Sequence, residues 1–225
     1  QLQRNHYYLA HLSSDLALYT FIASDGSLFT LESNNNLIEV SLDILLQKLR
    51  DQGECFRGNL NSRFQPSQFL VSPLNTPEKF LTDKYFLTKH QEEIKGRILD
   101  SLAVSPEGRF IGLTGSAGTG KTLLLYDIAK SCSLLGKCCI VHCGILCKGH
   151  GVLNEELAGV EIVAAKDITT DFDFTEYSYF FIDEAHRFYE SQCEHIVKQA
   201  VSSGFSLVFS YDEQQVLSRK ERSAN

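Results

Sequence analysis

Gly115, Ser116, Ala117, Gly118, Thr119, Gly120, Lys121 and Thr122 spell GSAGTGKT, which fits the pattern G-x-x-x-x-G-K-[ST]. An apolar run, RFIGLTG, leads into these residues, and a helix-like run, KTLLLYDIAK, leaves them. The chemistry suited to that setting is the holding of a phosphate chain. Glycines let successive backbone N–H groups point into one concavity, and a helix N-terminus adds partial positive charge. Lys121 is then placed to reach the β- and γ-phosphates of a nucleotide, and the Thr122 hydroxyl to ligate Mg2+.

A second acidic motif supplies what such a loop lacks. The apolar run YFFID ends in Asp183, whose carboxylate suits Mg2+ or its water shell, and Glu184 follows at once. Hydrolysis needs an acceptor that orients and deprotonates the attacking water, a role an adjacent glutamate can fill. Further on, SLVFSYDEQQ brings Asp212 to a third strand end, with Gln215 three positions beyond. An amide there can touch both a γ-phosphate and the attacking water. Upstream, YFLTKHQEEI places Gln91 at the start of a helix; a glutamine offers one donor and one acceptor, which suits the edge of adenine.

Two other clusters are set aside. Cys143, Cys147 and His150, with Cys138 or Cys139, could supply soft ligands for zinc. Their spacing is not that of a standard knuckle, and the sequence reads better as buried free thiols. Asp15, Asp25 and Glu32 read as turn and surface acids rather than as a nuclease centre.

The elements that must position these residues follow from patterning. From Lys84 onward, helical and strand-like runs alternate: KHQEEIKGRILDSLA, RFIGLTG (a buried strand), KTLLLYDIAKSCSLL, KCCIVHC, VEIVAA, SYFFID, RFYESQCEHIVKQAVSS and SLVFSYD. Such alternation predicts a parallel α/β sheet with helices on both faces and ligands beyond the strands' carboxyl ends. Residues 1–80 predict a small α+β domain and linker, and residues 81–225 the nucleotide-binding domain. HYYLAHLS and LALYTFIAS read as strands, with a hairpin turn at Asp25-Gly26 and a returning strand after it. SLDILLQKLRDQ reads as a helix capped by Ser41, and NLNSRFQPSQFLVSPLNTPEKF as a connecting segment.

Composition bounds the function classes. The 225 residues are 43% hydrophobic and 22% charged, enough to bury a core, with a formal net charge of −7. That balance excludes a global basic footprint, so any nucleic-acid contact must come from a local patch. No run approaches the roughly 20 apolar residues of a membrane span. Seven cysteines, mostly in apolar runs, suit a reducing intracellular compartment.

LTKHQ, GSAGTGKT, FIDEAH and YDEQQ, in that order, resemble the Q motif and motifs I, II and III of superfamily 1 helicases. The DEAHR and DEQQ spellings are most similar to a bacterial helicase-like family related to the Schlafen group-3 helicase domain. The resemblance runs from about Phe86 to Val216 and implies a RecA-like P-loop domain dependent on ATP and Mg2+. It carries over Gln91 for adenine, Lys121 and Thr122 for phosphate and metal, Asp183 and Glu184 for metal and water, and Gln215 as γ-phosphate sensor.

Three departures accompany it. Tyr211 stands where the family pattern has glycine. CGILCKGHGVLNEEL lacks the proline-threonine spelling of the strand-contacting motif Ia. Nothing after Val216 resembles the second RecA-like domain that carries the arginine finger, and Arg219 and Arg222 are too close in sequence to the last strand to replace it. Such a domain alone is expected to bind ATP and hydrolyse it weakly, since the arginine is worth about 10³ or more in rate. Two function classes lead: an ATP-hydrolysing motor acting on single-stranded DNA or RNA, and a nucleotide-gated protein-interaction module that moves no strand. A phosphotransferase comes third, since the adjacent acids suit water activation rather than a hydroxyl acceptor.

Overall fold

The computed structural model describes residues 6, 9–10, 16–32, 36–52, 71–104 and 108–212. The chain forms two compact units, one of residues 1–70 with 83–86 and one of residues 71–82 with 87–225.

In the smaller unit, β1 (Tyr19–Ile22), β2 (Ser27–Leu31) and β3 (Leu37–Glu39) make an antiparallel sheet in the order β1-β2-β3. Asp25 holds the β1–β2 turn by accepting the Ser27 N–H at 3.0 Å. The third strand is too short and exposed to show an alternating pattern in the sequence. α1 (Leu42–Asp51) follows Ser41, whose hydroxyl makes no capping bond; its carbonyl accepts the Ile44 N–H instead. The strand expected over HYYLAHLS is corrected: His6 and Leu9 are helical, and Ala10 N–H donates to the His6 carbonyl at 2.9 Å, the i→i−4 bond of a helical turn.

The larger unit is an α/β domain built on a parallel sheet. Five parallel strands, β4 (Phe110–Thr114), β5 (Cys138–His142), β6 (Val160–Ala164), β7 (Tyr179–Asp183) and β8 (Ser206–Tyr211), lie in the order β4-β8-β7-β5-β6. Its helices are α2 (Pro77–Leu81), α3 (Lys89–Val104), α4 (Lys121–Cys132), α5 (Lys148–Glu156) and α6 (Glu190–Ser203). β4 is an edge strand with Phe110 exposed and only Leu113 buried, so the expectation of a buried strand there is corrected. α5 lies in a stretch where no helix was expected.

The strand order decides what meets what. In sequence the loop strand β4 is far from β8, yet the two pair directly, and β8 pairs with β7. The loop after β4, Asp212 after β8 and Asp183 at the end of β7 are therefore neighbours along one sheet edge.

Alternation in β5 serves both faces. Cys139 and Val141 join Phe180, Ile182, Leu207 and the α6 residues Ile196 and Ala200 in one core. On the opposite face the Cys138 thiol reaches the Ala129 carbonyl of α4. α4 is buried almost all round, with Leu124, Leu125, Tyr126, Ile128, Ala129 and Cys132 inside. Each such large apolar side chain is worth about 1.5–3 kcal/mol on burial. The same burial takes in Asp127, whose carboxylate is paired with Lys95 of α3 at 2.6 Å.

Residues 71–80, expected as part of a connecting segment, are instead folded onto this domain. Pro73, Pro77 and Phe80 are buried, and Phe80 meets Tyr126 edge-on at 6.4 Å. Lys130 caps the end of α2 by donating to the Phe80 and Leu81 carbonyls at 3.1 and 3.2 Å. The Leu74 carbonyl lies so close to Gly149 that a Cβ there would overlap it. Among the described residues no helix is long and apolar enough to cross a membrane.

Candidate functional site

The loop between β4 and α4 closes on itself. Gly118 and Gly120 have φ of +75° and +81°, conformations that side chains disfavour. The Thr119 hydroxyl donates to the Ser116 carbonyl at 2.9 Å. Lys121 Nζ donates to the Gly115 and Ser116 carbonyls at 2.6 and 2.9 Å, and stands 3.6 Å from Asp212 Oδ2. The one ammonium is thus set between the loop and the end of β8. A phosphate in the loop would compete with two carbonyls and a buried carboxylate for it.

Behind the loop, Thr122 is the second residue of α4, and its hydroxyl lies 3.2 and 3.1 Å from the two Asp183 carboxylate oxygens. Asp183 is 1% exposed. Burial raises its pKa, and hydrogen bonds from Ser210 and Thr122 partly offset that. Ser210 Oγ donates to Asp183 Oδ1 at 2.8 Å. Facing Oδ2, at 3.9 Å, is His142 Nδ1, a buried atom without a hydrogen-bond partner among the described residues. A hydroxyl and a carboxylate are hard oxygen donors, and a desolvated carboxylate gains from a cation, so Thr122 and Asp183 fit Mg2+. The chemistry Mg2+ supplies is neutralisation of phosphate charge.

Glu184 occupies the left-handed region, with φ 57° and ψ 45°. Its N–H donates to Ser210 Oγ at 3.2 Å, and its carboxylate is paired with Arg187, whose Nε lies 3.1 Å away. The Glu184 side chain is partly exposed, at 33%, whereas Asp183 beside it is buried. His186 is buried behind it and accepts the Asp212 N–H on Nδ1 at 3.4 Å.

Gln91 lies against the loop. Its Oε1 accepts the Thr88 N–H at 2.8 Å, and its Nε2 donates to the Thr119 carbonyl at 3.0 Å. A Cβ on Gly120 would stand 2.6 Å from that Nε2. Both ends of the amide expected to meet adenine are engaged with protein. Gln215, Arg219 and Arg222 lie outside the described residues.

The cysteines divide. Cys138, Cys139 and Cys143 are buried, and burial pushes their thiols well above the ordinary range. Cys147 is exposed, correcting the expectation of a buried thiol, and its sulfur lies 3.2 Å from His150 Nδ1. That nitrogen also accepts the Cys147 N–H at 2.9 Å. Among the described residues no three His, Cys, Asp or Glu side chains converge as metal ligands.

The sequence reading missed Ser210, His142, Arg187 and Thr88. A lone serine inside the apolar LVFSYD and a histidine ending the apolar CCIVH were the available signals.

No protein-family model matches the chain, and no curated protein matches it. Among solved structures, domain III of the Thermotoga maritima replication initiation protein DnaA is similar over 68% of this chain and 65% of its own, at 14% identity and a TM-score of 0.40. The UvsW helicase from bacteriophage T4 is similar over 89% of this chain and 80% of its own, at 13% identity and a TM-score of 0.42.

Proposed function

We propose that this chain is the ATP-binding and ATP-hydrolysing domain of a superfamily 1-type DNA or RNA helicase or translocase, with residues 81–225 carrying the chemistry and residues 1–80 an accessory domain. The observation that carries this reading is the convergence of Lys121, Thr122 and Asp183 at neighbouring strand ends, with hydroxyl–carboxylate distances of 3.1–3.2 Å. In this reading Lys121 binds the β- and γ-phosphates, Thr122 and Asp183 hold the Mg2+ of Mg2+·ATP, and Glu184 takes the proton of the attacking water. Gln215 would report the γ-phosphate to a single-stranded nucleic acid bound across the strand ends.

Titration calorimetry with Mg2+·ATP tests the site. Lys121→Ala removes charge-assisted contacts worth about 1.5–3 kcal/mol each, so affinity should fall at least about tenfold. Equal affinities would remove the phosphate loop assignment. Steady-state ATPase assays with single-stranded DNA and RNA test the motor. Stimulation that Gln215→Ala abolishes, with ATP affinity retained, supports it. A rate indifferent to every strand favours the nucleotide-gated interaction module instead.

A further inference from the structure

Ser210 sits on β8, between the loop strand and the strand that ends in Asp183. β8 pairs Ser210 with Leu113 of β4, and the β7–β8 ladder runs to Ile182↔Phe209, one step short of Asp183 and Ser210. The residue is 1% exposed, in a strand whose neighbours Leu207, Val208 and Phe209 are apolar. A hydroxyl in that position is costly unless its bonds are made, and both kinds are made. It donates to Asp183 Oδ1 at 2.8 Å and accepts the Glu184 N–H at 3.2 Å.

These two bonds act on different features of the acid pair. The first fixes the Asp183 carboxylate, so that one oxygen is held by β8 while the group faces the Thr122 hydroxyl. The second anchors the backbone of Glu184 in its left-handed conformation. In an extended strand adjacent side chains point to opposite faces of the sheet. Here the strand ends at Asp183, which is buried, and Glu184 just beyond it is left-handed and partly exposed.

We propose that Ser210 is a positioning residue for the cation site, orienting Asp183 toward Mg2+ and Glu184 toward water without touching the nucleotide itself. The inference rests on the reading of the site as Mg2+·ATP-binding. It predicts a selective defect: binding of the triphosphate chain by the loop is untouched, and the contribution of Mg2+ is lost.

The test is titration of the full chain with a fluorescent ATP analogue, in EDTA and across a Mg2+ series, together with single-turnover hydrolysis. Ser210→Ala should bind the analogue in EDTA as wild type does. Its half-saturating Mg2+ should rise about tenfold, the scale of one charge-assisted hydrogen bond, and turnover should fall by at least as much. Ser210→Cys preserves side-chain volume with a weak donor and should share the defect, which separates the hydroxyl from packing. Ser210→Thr keeps a hydroxyl and should restore both readouts. A wild-type Mg2+ dependence in Ser210→Ala or Ser210→Cys overturns the proposal, as does an equal loss of affinity in EDTA. A wild-type chain that binds the analogue with no Mg2+ dependence overturns the Mg2+·ATP reading and this assignment with it.

Discussion

The side-chain amide of Gln91 donates to the Thr119 carbonyl at 3.0 Å while its oxygen accepts the Thr88 N–H at 2.8 Å. Thr88 in turn accepts the Gln91 N–H on its hydroxyl at 3.2 Å, so the pair closes a reciprocal cap on α3. The cap's far end is the glycine loop between β4 and α4. The amide thus fastens α3 to the loop at the residue before Gly120.

Gln91→Ala should therefore loosen the loop and not alter base preference. One hydrogen bond is worth about 1 kcal/mol net, so affinities for ATP and GTP should each fall roughly fivefold, by the same factor. Gly120→Ala should be more damaging, because a Cβ meets the amide at 2.6 Å and the backbone is left-handed. Competition titrations against a labelled triphosphate decide the point. A loss confined to ATP would return Gln91 to reading adenine.

Thiol chemistry offers a check on the sheet. Cys147 is exposed, whereas Cys138 and Cys139 lie inside β5 and Cys143 just past its end, all buried. Mass-spectrometric mapping after brief iodoacetamide treatment of the native protein should find Cys147 labelled and those three unlabelled. Denaturant should expose all of them. Rapid native labelling of Cys138 or Cys139 would contradict the central position of β5.

Which parts were legible in the sequence follows from where the signal is local. β5, β7 and β8 are apolar runs that end in polar residues, and α4 begins at a lysine–threonine pair after a glycine loop. Those features need no partner to be recognised. α5 was not legible because its capping box uses Cys147 and His150, in place of the usual serine or threonine with a glutamate or glutamine. Residues 71–80 carry two prolines and look like a connection, yet their burial depends on Tyr126, Lys130 and Gly149, far along the chain. Ser210 carries its role only because β8 lies between β4 and β7, an order that periodicity does not encode.

His150 makes a pH prediction. Burial, then the neighbouring His142 ring at 4.4 Å between centroids, lowers its pKa to about 4 from 6.5. Between those values the unfolded chain binds the proton and the folded chain does not, so stability falls as pH drops from 6.5 toward 4 and is fully present above 6.5. His150→Asn retains an acceptor for the Cys147 N–H without a titratable ring. Its melting temperature should depend less on pH across that window than the wild type's. An unchanged slope would place the sensitive group elsewhere.

Glu184 allows stability and turnover to be separated at one position. Its φ of 57° lies in the left-handed region, which costs a non-glycine residue about 1–2 kcal/mol. Glu184→Gln keeps that backbone, shape and size, so under the proposed role of Glu184 as proton acceptor nucleotide binding should persist while turnover falls. Glu184→Gly also removes the acceptor and relieves the backbone, at an unfolded-state entropy cost of about 0.4–1 kcal/mol. The lost contact to Arg187 is a partly exposed pair and contributes little. The glycine variant should therefore melt no lower than wild type while being as inactive as the glutamine variant. Calorimetric melting beside single-turnover hydrolysis reads both quantities. A clear drop in melting temperature for Glu184→Gly would mean that the left-handed turn carries no strain. Normal hydrolysis by Glu184→Gln would move the water-activating role to another residue.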